Sequence, residues 1–247
     1  MELAEFFAAH PRFALAFSGG TDSAFLLWAA VKAGCRVQPY FVRSPFQPAF
    51  ELADARRLAE ELSVPLTVVE TDVLALPAVA QNPADRCYHC KRLLFTRLCQ
   101  AAQADGYPLV CDGTNASDRA DDRPGMKALR ELGVCSPLRE CGIDKAQVRA
   151  LSAQGGLFTA AKPSYACLAT RVPTGRPITR EDLRRVEDGE AALMKMGFSD
   201  LRLRLDGDAA RLQLPASQME EAVRRRLEIR RALEGDFRRV TLDLEER

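Results

Sequence analysis

Two stretches of the sequence carry residue types that could do chemistry, an anion loop and a small set of thiols. Ser18-Gly19-Gly20-Thr21-Asp22-Ser23 joins two conformationally free glycines to three hydroxyls and one carboxylate. It follows a continuous apolar run at residues 12–17 and precedes residues 24–31, apolar nearly all round. Strand, glycine turn and helix start in that order bring backbone N–H groups, and the positive end of a helix, up to an anion. Ser18 and Ser23 would donate to phosphate oxygens. Asp22 would repel a bare phosphate, so it points to magnesium carried with a pyrophosphate. Neither Gly-x-x-x-x-Gly-Lys-Ser/Thr nor Gly-x-Gly-x-x-Gly occurs, which sets aside the common NTPase loop and weakens a dinucleotide reading. The bland alternative is a tight turn with a serine cap. Asp112-Gly113-Thr114-Asn115 follows a later short strand; Gly113 would let backbone approach the same ligand, although such a tetrapeptide is also an ordinary turn.

The thiols divide differently. Cys167 sits in a loop, residues 166–177, with Arg171, Arg176 and Lys162 near in sequence. Positive charge lowers a thiol's pKa and would hold a carboxylate or phosphate; the alternative is a buried structural cysteine. Cys87-x-x-Cys90 reads as half a zinc site, a redox pair or part of an iron–sulfur ligand set. No second Cys-x-x-Cys completes a four-thiol site, and the pair opens a long helical stretch, which favours a role in orienting that helix beside a site, with Tyr88 lining the pocket.

The elements that position these residues follow from periodicity. Apolar strands are expected at residues 12–17, 37–42, 66–69 and 109–111, alternating with helices at 24–31, 49–62 and 86–104. Short helices follow at 126–132 and 144–151, and a polar loop rich in Asp and Arg at 117–124. Such alternation predicts an α/β fold, a parallel sheet covered on both faces. After Lys162-Pro163 the pattern changes: a helix at 179–196, two alternating strands flanking Asp206-Gly207, a helix at 217–233 and a last strand at 240–244 form a smaller α+β unit. The expected domains are therefore 1–163 and 164–247, with the Cys167 loop at their junction. Arg202 and Arg204 lie two apart on one strand and so share a face suited to a phosphate or carboxylate.

Composition narrows the classes. The 247 residues carry 35 basic and 34 acidic side chains, a net charge of +1, without the basic excess of a protein that lives on attraction to nucleic acid or anionic lipid. No apolar run approaches the ~20 residues of a membrane span, and the first residues lack the pattern of an export signal. A cytoplasmic location is expected, with the eight cysteines mostly reduced.

Ser-Gly-Gly-x-Asp-Ser after a first strand resembles the signature of the PP-loop ATP pyrophosphatases. Arg86-Cys-Tyr-His-Cys-Lys91, Asp112-Gly-Thr-Asn115, Asp122-Arg-Pro-Gly125, Ser136-Pro-Leu138 and Ala166-Cys-Leu-Ala-Thr-Arg171 occur in that order. Together with Phe198 and Leu201-Arg-Leu-Arg204 they resemble the LarE family of sulfur transferases over nearly the whole chain. The resemblance implies a PP-loop domain in which Ser18, Gly19, Gly20, Thr21, Asp22, Ser23 and Gly113 bind ATP, with Mg2+ through Asp22. It implies a small nucleotide-like substrate, a pyridinium dicarboxylate mononucleotide, met by Tyr88, Arg171, Glu190, Arg202 and Arg204. One carboxylate is adenylated; Cys167 attacks it, and its sulfur leaves with the product, so that the protein keeps dehydroalanine. A loop with no second cysteine fits this sacrificial mode. Gln213 stands where the family pattern has an acidic residue, which weakens a metal site there. The family also implies a homo-oligomer, a hexamer, in nickel-pincer cofactor synthesis, with neither nucleic acid nor membrane as partner. A PP-loop tRNA thiolase and a catalytically silent nucleotide-binding regulator are the alternatives; the balanced charge speaks against the first, and the intact loop and Cys167 against the second.

Overall fold

The computed structural model describes residues 1–118 and 124–245. Within Asp122-Arg-Pro-Gly125, Asp122 and Arg123 lie outside the described residues, as does most of the polar loop expected at 117–124. The chain divides into two compact units, Met1–Val73 with Asp85–Lys162, and Leu74–Ala84 with Pro163–Arg247.

The first unit is the expected parallel α/β sheet. In chain order it contains α1 (Leu3–Ala9), β1 (Arg12–Ala16), α2 (Thr21–Lys32), β2 (Arg36–Arg43), α3 (Ala49–Glu61) and β3 (Thr67–Glu70). After α4 (Pro77–Ala80), which belongs to the second unit, come α5 (Arg86–Ala104), β4 (Val110–Cys111), α6 (Pro124–Glu131), α7 (Pro137–Glu140) and α8 (Lys145–Gln154). The four strands run parallel in the order β3-β2-β1-β4. Side chains alternate across a strand, and β1 uses both faces. Phe13, Leu15 and the following Phe17 join one core with Phe25, Leu26 and Leu27 of α2 and Leu52, Ala55 and Leu58 of α3. Ala14 and Ala16 face a second core with Leu98 and Ala102 of α5. Small residues on that side let the long helix lie close to the sheet. Both faces are thus covered, which is why β1 reads as an unbroken apolar run.

The second unit holds α9 (Arg180–Lys195), β5 (Arg202–Asp206), β6 (Ala209–Gln213), α10 (Ala216–Arg224), α11 (Arg226–Leu233) and β7 (Arg239–Leu242). Its sheet runs β5-β6-β7, antiparallel at the hairpin and parallel between β6 and β7. The Thr179 side chain caps α9 by accepting from Asp182 N at 3.0 Å.

Three expectations change. Residues 74–84 fall inside the expected 1–163 domain yet pack with the second unit: Asn82 Nδ2 donates to Pro173 O at 2.8 Å, and Ile178 N to Ala80 O at 2.8 Å. The helix expected at 217–233 breaks at Arg225, which leaves helical geometry (φ −94°, ψ 18°) while its Nη1 donates to Met196 O at 2.7 Å. The helix expected from residue 24 begins at Thr21, so half of the candidate loop is its first turn. Among the described residues no helix is long and apolar enough to cross a membrane.

Candidate functional site

The turn between β1 and α2 is built to leave hydroxyls and amides together. Gly19 has φ +69°, and a Cβ there would meet Glu51 O at 2.9 Å, so glycine is required twice over. The Ser18 and Ser23 hydroxyls stand 3.2 Å apart, and Ser18 Oγ accepts from Gly20 N at 3.3 Å. Ser18, Gly20, Asp22, Ser23 and Gly113 line a cleft of about 340 Å3, within the usual range for small-molecule sites. Its apolar wall comes from Tyr40, Phe41 and Val42 of β2 and from Leu94, Phe95 and Leu98 of α5. The two other loop residues are not on that wall. Gly19 turns the backbone, and Thr21, buried, donates to Thr159 O at 2.9 Å and so ties α2 to the core.

Asp22 is not a bare carboxylate. Lys145 Nζ donates to its Oδ2 at 2.6 Å, and Asn115 Nδ2 to its Oδ1 at 3.3 Å. Lys145 is the first residue of α8, directly after its Asp144 cap; nothing local in the sequence marks it as a partner of a residue 123 positions earlier. The Asp112 loop is fixed by its own side chains: Ser136 Oγ donates to Asp112 Oδ1 at 2.8 Å and Thr114 Oγ1 to Oδ2 at 2.5 Å. Gly113 presses on the helix start, where an added Cβ would meet Ser23 N at 2.8 Å and Ser23 Cα at 3.0 Å. Both are backbone atoms and cannot swing aside. Gly113→Ala is therefore expected to cost about 1–3 kcal/mol of stability. Urea unfolding followed by Trp28 fluorescence reads this, because Trp28 lies on the helix that must shift; a midpoint equal to the parent's would mean that the turn has slack.

Tyr88 does not line the cleft. Its hydroxyl donates to Glu131 Oε2 at 2.8 Å, with Lys127 over its ring, so it joins α5 to α6. Lys91, one turn on, lines the cleft instead. Cys87 is exposed and Cys90 buried. Among the described residues no group of three or more His, Cys, Asp or Glu side chains could hold a metal ion. A magnesium ion travelling with nucleotide phosphates needs only one or two carboxylates, and Asp22 fits that lesser demand.

In the second unit Cys167 is half-buried and caps a short 3-10 turn, Leu168–Arg171. The arginines expected to meet substrate are turned onto this loop. Arg202 Nη2 donates to Ser164 O at 2.7 Å, Arg171 Nη1 to Ala166 O at 2.6 Å and Cys167 O at 3.2 Å, and Arg204 Nη1 to Thr170 O at 2.7 Å. Arg171 and Glu190 form a buried forked pair, with side-chain exposures of 0% and 2% and N–O distances of 2.8 and 3.0 Å. Glu190 also accepts from Leu203 N at 2.8 Å and from the Tyr165 hydroxyl. The Tyr165 ring carries Arg171 at 4.5 Å and Arg202 at 4.9 Å. Burial, with the Glu190 charge beside it, raises the Tyr165 hydroxyl's pKa, so it stays a donor. Burial, with the Arg171 charge adding to it, brings the Arg202 guanidinium down to about 10, still cationic at neutral pH. Arg171 and Glu190 are thus buried against each other, with Arg171 also holding the loop carbonyls. Gln213 bridges Arg204 and Asp243, at 2.5 and 2.9 Å.

No family model matches the chain. Three curated proteins align with it over most of its length. An uncharacterised protein of Synechocystis sp. is 37% identical over 222 residues, 90% of this chain and 83% of that protein. One of Methanocaldococcus jannaschii is 28% identical over 232 residues, 94% of this chain and 88% of that protein. The pyridinium-3,5-bisthiocarboxylic acid mononucleotide synthase of Lactiplantibacillus plantarum is 33% identical over 236 residues, 94% of this chain and 86% of that synthase. With that identity sustained over nearly its whole length, the chain belongs to the LarE family.

Proposed function

We propose that this protein is an ATP-dependent sulfur transferase that converts a pyridinium dicarboxylate mononucleotide to its thiocarboxylate, in nickel-pincer cofactor synthesis. The name of the L. plantarum relative supports the substrate class. The cleft of the first unit supports the activation step: backbone amides of the Ser18–Ser23 turn and the α2 N-terminus suit a pyrophosphate, and the apolar β2–α5 wall suits a flat base. Magnesium, bound through Asp22 and the phosphates, would neutralise charge as pyrophosphate departs. Lys145 and Asn115 hold the Asp22 carboxylate in place.

Adenylation turns one substrate carboxylate into an acyl phosphate anhydride. The Cys167 thiolate attacks its carbon and AMP leaves, giving a thioester to the protein. Loss of the Cys167 Cα proton and cleavage of Cβ–S then release the thiocarboxylate and leave dehydroalanine. The observation that carries this reading is the half-exposed Cys167, placed at the head of a loop whose carbonyls are held by three arginines. Two of these arginines, Arg171 and Arg202, are buried.

The test is the mass of the intact protein after turnover with ATP, Mg2+ and the dicarboxylate nucleotide. The expected result is loss of the elements of one hydrogen sulfide per chain, mapped by peptide analysis to residue 167. Thiolated product from a protein whose mass is unchanged would overturn the sacrificial step.

A further inference from the structure

The carbonyl oxygen of Cys167 receives more donors than a turn requires. Thr170 N donates to it at 3.0 Å, as in any 3-10 turn. Thr170 Oγ1 adds a second bond at 2.9 Å, and Arg171 Nη1 a third, charged one at 3.2 Å. A carbonyl oxygen has two lone pairs, so three donors, one of them cationic, exceed what the neutral amide can use well. They suit an oxygen that acquires negative charge.

In the sulfur transfer proposed above, such charge arises there in one step. When a base takes the Cα proton of a residue, the electron pair it leaves is delocalised onto that residue's own carbonyl oxygen as an enolate. We propose that Thr170 and Arg171 form an oxyanion site for the Cys167 enolate and so drive the elimination that frees sulfur. This rests on the sulfur-transfer reading above. The proton passes to water reaching the half-exposed Cys167. The electron pair moves from Cα–H to the carbonyl oxygen, then back to make Cα=Cβ as Cβ–S breaks, and sulfur departs with its bonding pair as the product thiocarboxylate. No oxidant or reductant enters. The Arg171–Glu190 pair fixes the guanidinium so that Nη1 is aimed before the charge develops, and donors already oriented are the effective ones. Thr170 is a catalytic residue in this scheme because its hydroxyl touches the atom that takes the charge. Glu190 is a positioning residue, its oxygens engaged by Arg171, Leu203 N and Tyr165.

Single-turnover reactions with ATP, Mg2+ and pyridinium-3,5-dicarboxylic acid mononucleotide, quenched in acid and read by intact mass, separate the steps. The thioester adduct and the dehydroalanine protein differ in mass, so their rates are read independently. In Thr170→Val, which keeps the side-chain shape and removes the hydroxyl, the adduct is expected to form at the parental rate and persist. Dehydroalanine formation slows by about 10²-fold, the lower end of what loss of one oxyanion donor costs. Thr170→Ser is expected to restore the parental rate, and Thr170→Ala repeats the test should valine disturb the fold. Equal slowing of adduct formation and elimination would show that Thr170 merely shapes the loop and would overturn the proposal, as would parental elimination without the hydroxyl. If the parent protein forms neither adduct nor dehydroalanine, it is the sulfur-transfer reading that fails.

Discussion

Cys167→Ala releases pyrophosphate from ATP at close to the parental rate and makes no thiolated product: that is the expected result, and the largest single-residue effect the proposed mechanism allows. The reason is local. Thr170 and Arg171 grip the backbone carbonyl of residue 167, not its sulfur, and alanine keeps that carbonyl, so the loop retains its anchors while the nucleophile disappears. The cleft proposed for ATP is lined by residues of the first unit, none of which is substituted. Pyrophosphate release and product thiolation, assayed side by side with the dicarboxylate nucleotide, give the comparison. Continued thiolation would move the donor role elsewhere, and Cys87, the exposed thiol, would be the first to replace next. Loss of both signals together would mean that the substitution collapses the loop, contrary to the hydrogen bonds described.

How far the sequence could be read depends on the range of the interactions involved. β1, the glycine turn and the start of α2 are legible because each rests on neighbours along the chain: the apolar run, the φ-permissive Gly19, the change of period. The Thr179 cap of α9 and the hairpin at Gly207 are legible for the same reason. What the loop residues do is less so. Thr21 follows two glycines and looks ligand-facing, but it opens a helix, where each residue turns about 100° from the last, and that rotation aims it at Thr159. Arg202 and Arg204 do share a strand face, as period two requires, yet what lies over that face is the Ser164–Thr170 backbone. No spacing rule reports this, because the acceptors are carbonyls, which every residue has. The Asp22–Lys145 contact fails to appear for a similar reason: it spans most of the first unit, and lysine is a common surface residue. Among the thiols, the sequence left three chemical readings for Cys87 and Cys90. The spacing does not say which of the two faces solvent; the packing of α5 leaves Cys87 exposed and Cys90 buried.

Glu190→Leu is expected to have the largest effect on stability. The substitution leaves the Arg171 guanidinium, 0% exposed, without its counter-charge, and removal of one partner from a buried pair costs about 3–5 kcal/mol. It also strips Leu203 N and the Tyr165 hydroxyl of an acceptor. These losses share one carboxylate and do not add. At roughly 2–4 °C per kcal/mol for a chain of this size, the melting temperature falls by about 6–20 °C. Trp28, the single tryptophan, lies in the other unit, so far-UV circular dichroism, or hydrogen exchange at the Leu203 amide, is the appropriate probe. A cost below about 1 kcal/mol, the value of an exposed pair, would contradict the burial. Arg171→Met combined with Glu190→Leu sharpens the argument. A well-packed apolar replacement of a buried pair is often neutral, so the double variant should regain much of the stability. It cannot regain the charged donor on Cys167 O. Restored melting with elimination still slow would separate the two roles of this pair: its charge is dispensable for folding and needed where the enolate forms.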